Sequence, residues 1–270
     1  MNTLERSVSN SVIDSNYSEI FAGYTLPKLL KRIETETNPG KFKEIMLRAI
    51  QLYFDGLVEG NFSLKEPDIW AKQEEALNAI LLAVRMTVSG FYITNKDVPF
   101  SNVRDTLLPH DSILIQYGSK RSGADRRLQG KEFEIESYAK SVAQALQGKK
   151  VDLIVPVASG GFEPAAITAG YMGAEDMFPI RHSPFRRKDD AILVPKQAPP
   201  GYVTERFRGA SVLVIEDLVD SGITASKIVE FVRSFSPHEL YFAFVQGKGS
   251  PLLNLGWNKH NESKYLFTAN

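Results

Sequence analysis

Apolar residues change their spacing along this chain, and the changes divide it. Residues 1–20 are polar and rich in Ser and Asn, which suits a terminal arm. Leu26–Thr35 and Lys41–Val58 carry apolar residues at helical spacing, among them Ile45, Leu47, Ala49, Ile50, Tyr53, Phe54 and Leu57. Pro67-Asp68 reads as a helix start. Ile69–Val88 reads as a long helix with Ala76, Leu77, Ile80, Leu81 and Val84 on one face. Asp111–Tyr117 has the look of a short strand, and Phe133–Leu146 of an amphipathic helix.

Beyond that point, short apolar runs alternate with helical patterns. Val151–Val157 is an apolar strand, followed by a helix from Phe162 to Gly173 with Pro164 in its first turn. Val212–Ile215 is a continuous, mostly β-branched run, and the helical pattern Ala225–Val232 comes soon after it. Glu239–Gln246 is a further strand. Continuous apolar strands alternating with helices predict a parallel sheet buried on both faces. The expected class is therefore α/β, with a helical region over 1–109 and the sheet domain over 110–270.

The densest chemistry follows Ile215: Glu216, Asp217, Leu218, Val219, Asp220, Ser221, Gly222, Ile223, Thr224. A strand-loop-helix junction presents free backbone N–H groups, and a helix N-terminus favours an anion. Gly222 permits close backbone approach or positive φ. The hydroxyls of Ser221 and Thr224 can donate to phosphate oxygens. Carboxylates beside a phosphate make sense if they bind hydroxyls, a metal or a cationic transition state. Glu216 and Asp217 are suited to the two hydroxyls of a ribose. Together these residues suggest a sugar phosphate.

The segment resembles the phosphoribosyl pyrophosphate signature of type I phosphoribosyltransferases, and in motif the purine-salvage branch (hypoxanthine/xanthine-guanine). The resemblance implies a parallel sheet flanked by helices, a Mg²⁺ requirement, and transfer of the 5-phosphoribosyl group to a nitrogenous base with release of pyrophosphate. It implies catalytic roles for Asp220, Glu216 and Asp217, with metal binding by Glu216 and Asp217. It implies that Ser221, Gly222, Ile223 and Thr224 hold the phosphate. Asp220 is suited to accept a proton from the incoming base.

A second strand-loop-helix unit reads Ala158-Ser159-Gly160-Gly161 before its helix. In the family this loop holds pyrophosphate, and purine members often place Arg between the Ser and the glycines, with Pro following. Here Ser159, Gly160, Gly161 and Pro164 are similar to that loop, but it contains no Arg or Lys. Pyrophosphate then depends on backbone amides, Mg²⁺ and cations from elsewhere. Residues 181–208, long, Pro-rich and charged, offer Arg186, Arg187, Lys188 and Lys196 from a functional loop. The family places a base-contacting Lys after the next strand, where Lys248 stands. It stacks an aromatic on the base, for which Trp257, Tyr265 and Phe267 are candidates.

Composition narrows the class. The chain has 270 residues, 43% of them hydrophobic, with 32 basic and 32 acidic residues. A balanced charge argues against bulk nucleic-acid affinity. Without Cys there is no disulfide, thiolate catalysis or zinc-thiolate site. His110, His182, His238 and His260 show no ligand spacing. No stretch is apolar enough to span a bilayer and the N-terminus lacks a signal-peptide core, so a cytoplasmic location is expected. The basic loop Ser119–Arg127 suits a solvated face, a contact to phosphates or one to RNA. Packing, homodimerisation and capping of the site all stay open for the helical region. A non-catalytic sensor of phosphoribosyl pyrophosphate, and an enzyme with a non-purine acceptor, are the competing functional readings.

Overall fold

A computed structural model describes residues 24–60, 68–119, 132–158, 160–182, 191–219, 222–247, 258–259 and 266–268. Among the described residues the first part holds α-helices α1 (Leu26–Ile33), α2 (Pro39–Glu59), α3 (Ile69–Tyr92), α4 (Phe100–Leu107) and α5 (Asp111–Tyr117). Then come α6 (Glu132–Ala145), β1 (Leu153–Ala158), α7 (Phe162–Met172), β2 (Ile180–Arg181) and α8 (Tyr202–Phe207). The chain continues with β3 (Ser211–Val219), α9 (Ile223–Arg233), β4 (Glu239–Gly247), β5 (Asn258–Lys259) and β6 (Leu266–Thr268). The sheet order is β2-β1-β3-β4-β6-β5. The first four strands are parallel, and β6 and β5 close the edge antiparallel.

The central strands are buried on both faces, as their unbroken apolar runs require. Successive side chains point to opposite faces. Ile154, Leu213, Ile215, Tyr241, Ala243 and Val245 enter the core shared with α6, α7 and the N-terminal helices. Leu153, Val155, Val157, Val212, Val214, Phe242 and Phe244 enter the other core, with Phe207 of α8 and Ile228 and Val232 of α9. The first of these cores runs without a break from Leu26 to Leu266, so the helical region and the sheet pack as one body.

One element differs from its sequence pattern. Asp111–Tyr117 is helix α5, not a strand. Its isoleucines suggest alternation, yet Leu114 and Tyr117, three apart, are the buried pair, while Ile115 is exposed. Burial on a helical stripe against α2 outweighs β-branched propensity. The segment 181–208 also holds the last residue of β2 and the whole of α8, and Leu193 bridges back to Arg181.

Polar ties fasten α2 to the sheet. Asn38 caps α2 by accepting from the Lys41 amide at 3.0 Å. Asp55, more than four turns along, forms a buried ion pair with Arg181 at the end of β2. At the C-terminus of α2 the Lys196 ammonium donates to the Glu59 and Gly60 carbonyls, each at 3.1 Å. Lys196, considered above for pyrophosphate, is thus a helix cap. Asp55→Ala removes the counter-charge of a buried guanidinium and is expected to cost about 3–5 kcal/mol. Urea denaturation measures this, and Asp55→Leu/Arg181→Met should recover most of the loss.

Candidate active site

The parallel register sets the site. Pro156 pairs with Ile215, so Ala158 and Asp217 lie two residues further along their strands, at the same carboxyl edge. Ligands of open α/β sheets bind at that edge. Ala158 is buried in the core and offers the edge only its backbone. At Gly160 any Cβ would collide with the Asp217 carboxylate. At Gly161 a Cβ would lie 2.5 Å from the Ile215 carbonyl oxygen and 2.7 Å from Val157 backbone atoms. Close backbone approach thus requires glycine at 161, a side chain at 160 would displace the Asp217 carboxylate, and the loop after β1 docks onto β3 at Ile215 and Asp217.

Helix α7 starts directly from this loop, with the Ala165 amide on the Gly161 carbonyl at 3.0 Å. Its N-cap, Gly161, has no side chain to satisfy the first-turn amides. Helix α9 starts the same way from Gly222, which has φ 78° and is buried. A Cβ there would be strained. The first turn of α9 directs its backbone amides toward the end of β3, an arrangement that suits an anion.

Strand β3 continues through the acids to Val219, which pairs with Gly247 at the end of β4. Glu216 is 7% exposed, and its Oε2 has no hydrogen-bond partner among the described residues. Burial, and then the neighbouring Asp217 charge, hold the Glu216 carboxyl well above the ordinary glutamate range. Asp217 is half-buried and Leu218 is exposed. An orphaned, buried carboxylate oxygen beside a second carboxylate suits a hydroxyl donor or a hard cation. The donor set therefore fits Mg²⁺.

His182 is a residue that the sequence pattern did not single out. It follows β2 directly, is 6% exposed, and its Nδ1 lies 3.2 Å from the Thr224 hydroxyl. That contact joins β2 to the α9 loop across 42 residues of chain, which no local spacing signals. When Nδ1 carries the proton, it donates to the Thr224 oxygen and leaves that hydroxyl free to donate to a phosphate.

The structure thus brings together Ala158, Gly160, Gly161, Glu216, Asp217, Gly222, Ile223 and Thr224. Ser159, Arg186, Arg187, Lys188, Asp220, Ser221, Lys248, Trp257 and Tyr265 lie outside the described residues, as does the basic loop from residue 120 to 127. Phe267 is not a base platform: it is 1% exposed and stacked on Phe244 in the core, 5.6 Å between ring centroids. Its place in the middle of β6, paired with Phe242, turns it into the sheet's packing face.

Residues 127–255 match the model of the phosphoribosyl transferase domain. Over this segment the chain is similar to the phosphoribosyl transferase domain family. The match begins within the residues ahead of α6 and takes in both glycine loops and the acid pair. Similar solved structures include a purine phosphoribosyltransferase from Pyrococcus horikoshii, with 21% identity and TM-score 0.36, covering 44% of this chain and 76% of that one. The hypoxanthine-guanine phosphoribosyltransferase of Bacillus anthracis has 20% identity and TM-score 0.36, with 45% and 71% covered. Adenine phosphoribosyltransferase of Saccharomyces cerevisiae has 21% identity and TM-score 0.34, with 46% and 72% covered. Comparison with curated proteins finds no match. No helix among the described residues is long and apolar enough to cross a membrane.

The buried acid of β3 carries a stability consequence. An acid with a raised folded-state pKa binds its proton more tightly folded than unfolded. Its contribution is intact at acid pH and is lost as pH rises from the ordinary glutamate range through the raised value. Glu216→Gln should therefore raise the thermal midpoint of the ligand-free protein at about pH 8, with the gap closing near about pH 4, where the ordinary glutamate pKa lies. A scan of thermal midpoint against pH for the two proteins, without Mg²⁺, checks the sign.

Proposed function

We propose that this domain transfers the 5-phosphoribosyl group of phosphoribosyl pyrophosphate to a nitrogenous base, releasing pyrophosphate and forming a nucleoside 5′-monophosphate. The observation that carries the reading is the docking of Gly160 on Asp217. It sets the loop after β1 against the acids of β3, the neighbouring parallel strand that leads on to Gly222 and α9. Such a site can take a group with an anion at each end and hydroxyls between. The sequence Glu-Asp-Leu-Val-Asp-Ser-Gly-Ile-Thr over 216–224 favours a purine as the acceptor.

In this reading Ser221, Gly222, Ile223 and Thr224 hold the 5′-phosphate, and Ala158 to Gly161 hold pyrophosphate through backbone amides. Glu216 and Asp217 accept hydrogen bonds from the ribose hydroxyls. The bond from C1′ to the pyrophosphate oxygen breaks, the bond from C1′ to a ring nitrogen forms, and the nitrogen's proton passes to Asp220. Positive charge develops on the ribose, next to carboxylates already held in a largely dry site. Glu216 and Asp217 would also hold Mg²⁺, which supplies positive charge to the pyrophosphate oxygens. Arg186, Arg187 and Lys188 add cations and exclude water, and Lys248 and Trp257 contact the base. The reaction is assigned to the cytoplasm.

One observation favours a second reading. The pyrophosphate loop has no Arg or Lys, and the described part of it rests on a carboxylate. A sensor that binds phosphoribosyl pyrophosphate without turnover would tolerate that. The deciding experiment titrates phosphoribosyl pyrophosphate with Mg²⁺ and then screens purines, pyrimidines and amines for pyrophosphate release. The enzyme reading expects Mg²⁺-dependent release that drops about 100-fold or more in Glu216→Gln/Asp217→Asn. It also expects loss of 5′-monophosphate binding in Gly222→Val by calorimetry. Tight binding with no release from any acceptor establishes the sensor.

A further inference from the structure

The pyrophosphate loop leads straight into an acid. Glu163 occupies the first turn of α7, two residues after Gly161, and is 9% exposed. A carboxylate there is favourable to the helix but weakens the very end that would attract an anion. Its side chain turns toward the helical region. The Lys43 ammonium of α2 lies 2.6 Å from Glu163 Oε1, and the Tyr92 hydroxyl of α3 donates to the same oxygen at 2.7 Å. Lys43 also donates to the Tyr92 oxygen at 3.0 Å. The rings of Phe91 and Tyr92 lie 4.6 and 4.9 Å from the ammonium. Lys43 is 3% exposed, so this is a buried ion pair spanning 120 residues. Burial, followed by the Glu163 charge, pushes the Tyr92 hydroxyl up, so it stays a donor.

A buried ion pair is seldom worth more than an apolar pair of the same volume. Its value here is the sign of the charge it leaves at the head of α7. We infer that Lys43 is a positioning residue for pyrophosphate: it cancels the charge of Glu163, so the amides of the loop after β1 meet pyrophosphate with the helix end still positive. The helical region in this way supplies, from behind, the cation that the loop lacks. This inference rests on the phosphoribosyltransferase reading.

The test measures binding of two probes to the full chain by calorimetry at mildly alkaline pH. One is inorganic pyrophosphate with Mg²⁺, for the loop after β1. The other is ribose 5-phosphate, for the loop before α9. Lys43→Met leaves Glu163 uncancelled and should weaken pyrophosphate about tenfold, the scale of one unit charge acting over roughly 12 Å at an effective dielectric of about 20. Glu163→Gln leaves Lys43 held by Tyr92, the two rings and the Glu44 carboxylate at 3.9 Å, and should tighten pyrophosphate by a similar factor. Lys43→Met/Glu163→Gln should return to the wild-type value. Ribose 5-phosphate should change less than about twofold throughout, its loop lying at the head of a different helix. Both single variants break the Lys43–Glu163 ion pair, so a purely structural role for that pair would weaken pyrophosphate in both. That outcome, or no change in either, overturns the inference. Should Lys43→Met fail to fold, tightening in Glu163→Gln and return in the double variant still decide it. Wild-type protein that binds ribose 5-phosphate but not pyrophosphate overturns the inference alone. Protein that binds neither overturns the functional reading with it.

Discussion

Leu153 lies beside Val212 and Pro156 beside Ile215, so β1 and β3 run level and reach the same edge together. The arrangement of the site follows from that register. Both strands are apolar on both faces and pack between two cores, which leaves no tolerance for slippage. A shift of one residue would turn Glu216 and Asp217 to each other's faces and carry Asp217 away from Gly160. With the register held, the loop after β1 meets β3, and the absence of a side chain at Gly160 and Gly161 permits their close approach to Asp217 and Ile215.

The helical region is part of that constraint. Three polar ties run from α2 to the sheet domain: Lys43 to Glu163 behind the first glycine loop, Asp55 to Arg181 beside His182, and the C-terminal carbonyls to Lys196. Each lands on an element that borders the site or leads into it. Because α2 is a long, capped helix packed in the shared core, the three anchor points move together. The helices thus act as a brace for the loops.

Electrostatics at the edge work against the ligand-free state. Glu216 is buried beside Asp217, and its Oε2 has no partner among the described residues. A core built only for stability would place an apolar side chain there. Retaining the acid is reasonable where hydroxyls or a cation complete it, and the cost is borne until they bind.

The strands, the long helices and both glycine loops were legible from local pattern. A buried parallel strand must be continuously apolar, a packed helix must repeat near 3.6 residues, and a tight strand-to-helix turn requires glycine. The acid pair and Gly222 stood out for the same reason, since carboxylates at the end of an apolar run conflict with burial. Asp111–Tyr117 misled because β-branched residues mark a strand only when burial agrees, and burial here follows Leu114 and Tyr117. Phe267 and Lys196 misled because an aromatic or a lysine has the same local signal whether it meets a ligand, a core or a helix end. The ties from Lys43 to Glu163, Asp55 to Arg181 and His182 to Thr224 left no local trace. Their partners stand 42 to 126 residues apart, and no local period relates them. Sequence alone determined which segments carry the acids and glycines; packing of the helices against the sheet decided which charges stand behind them.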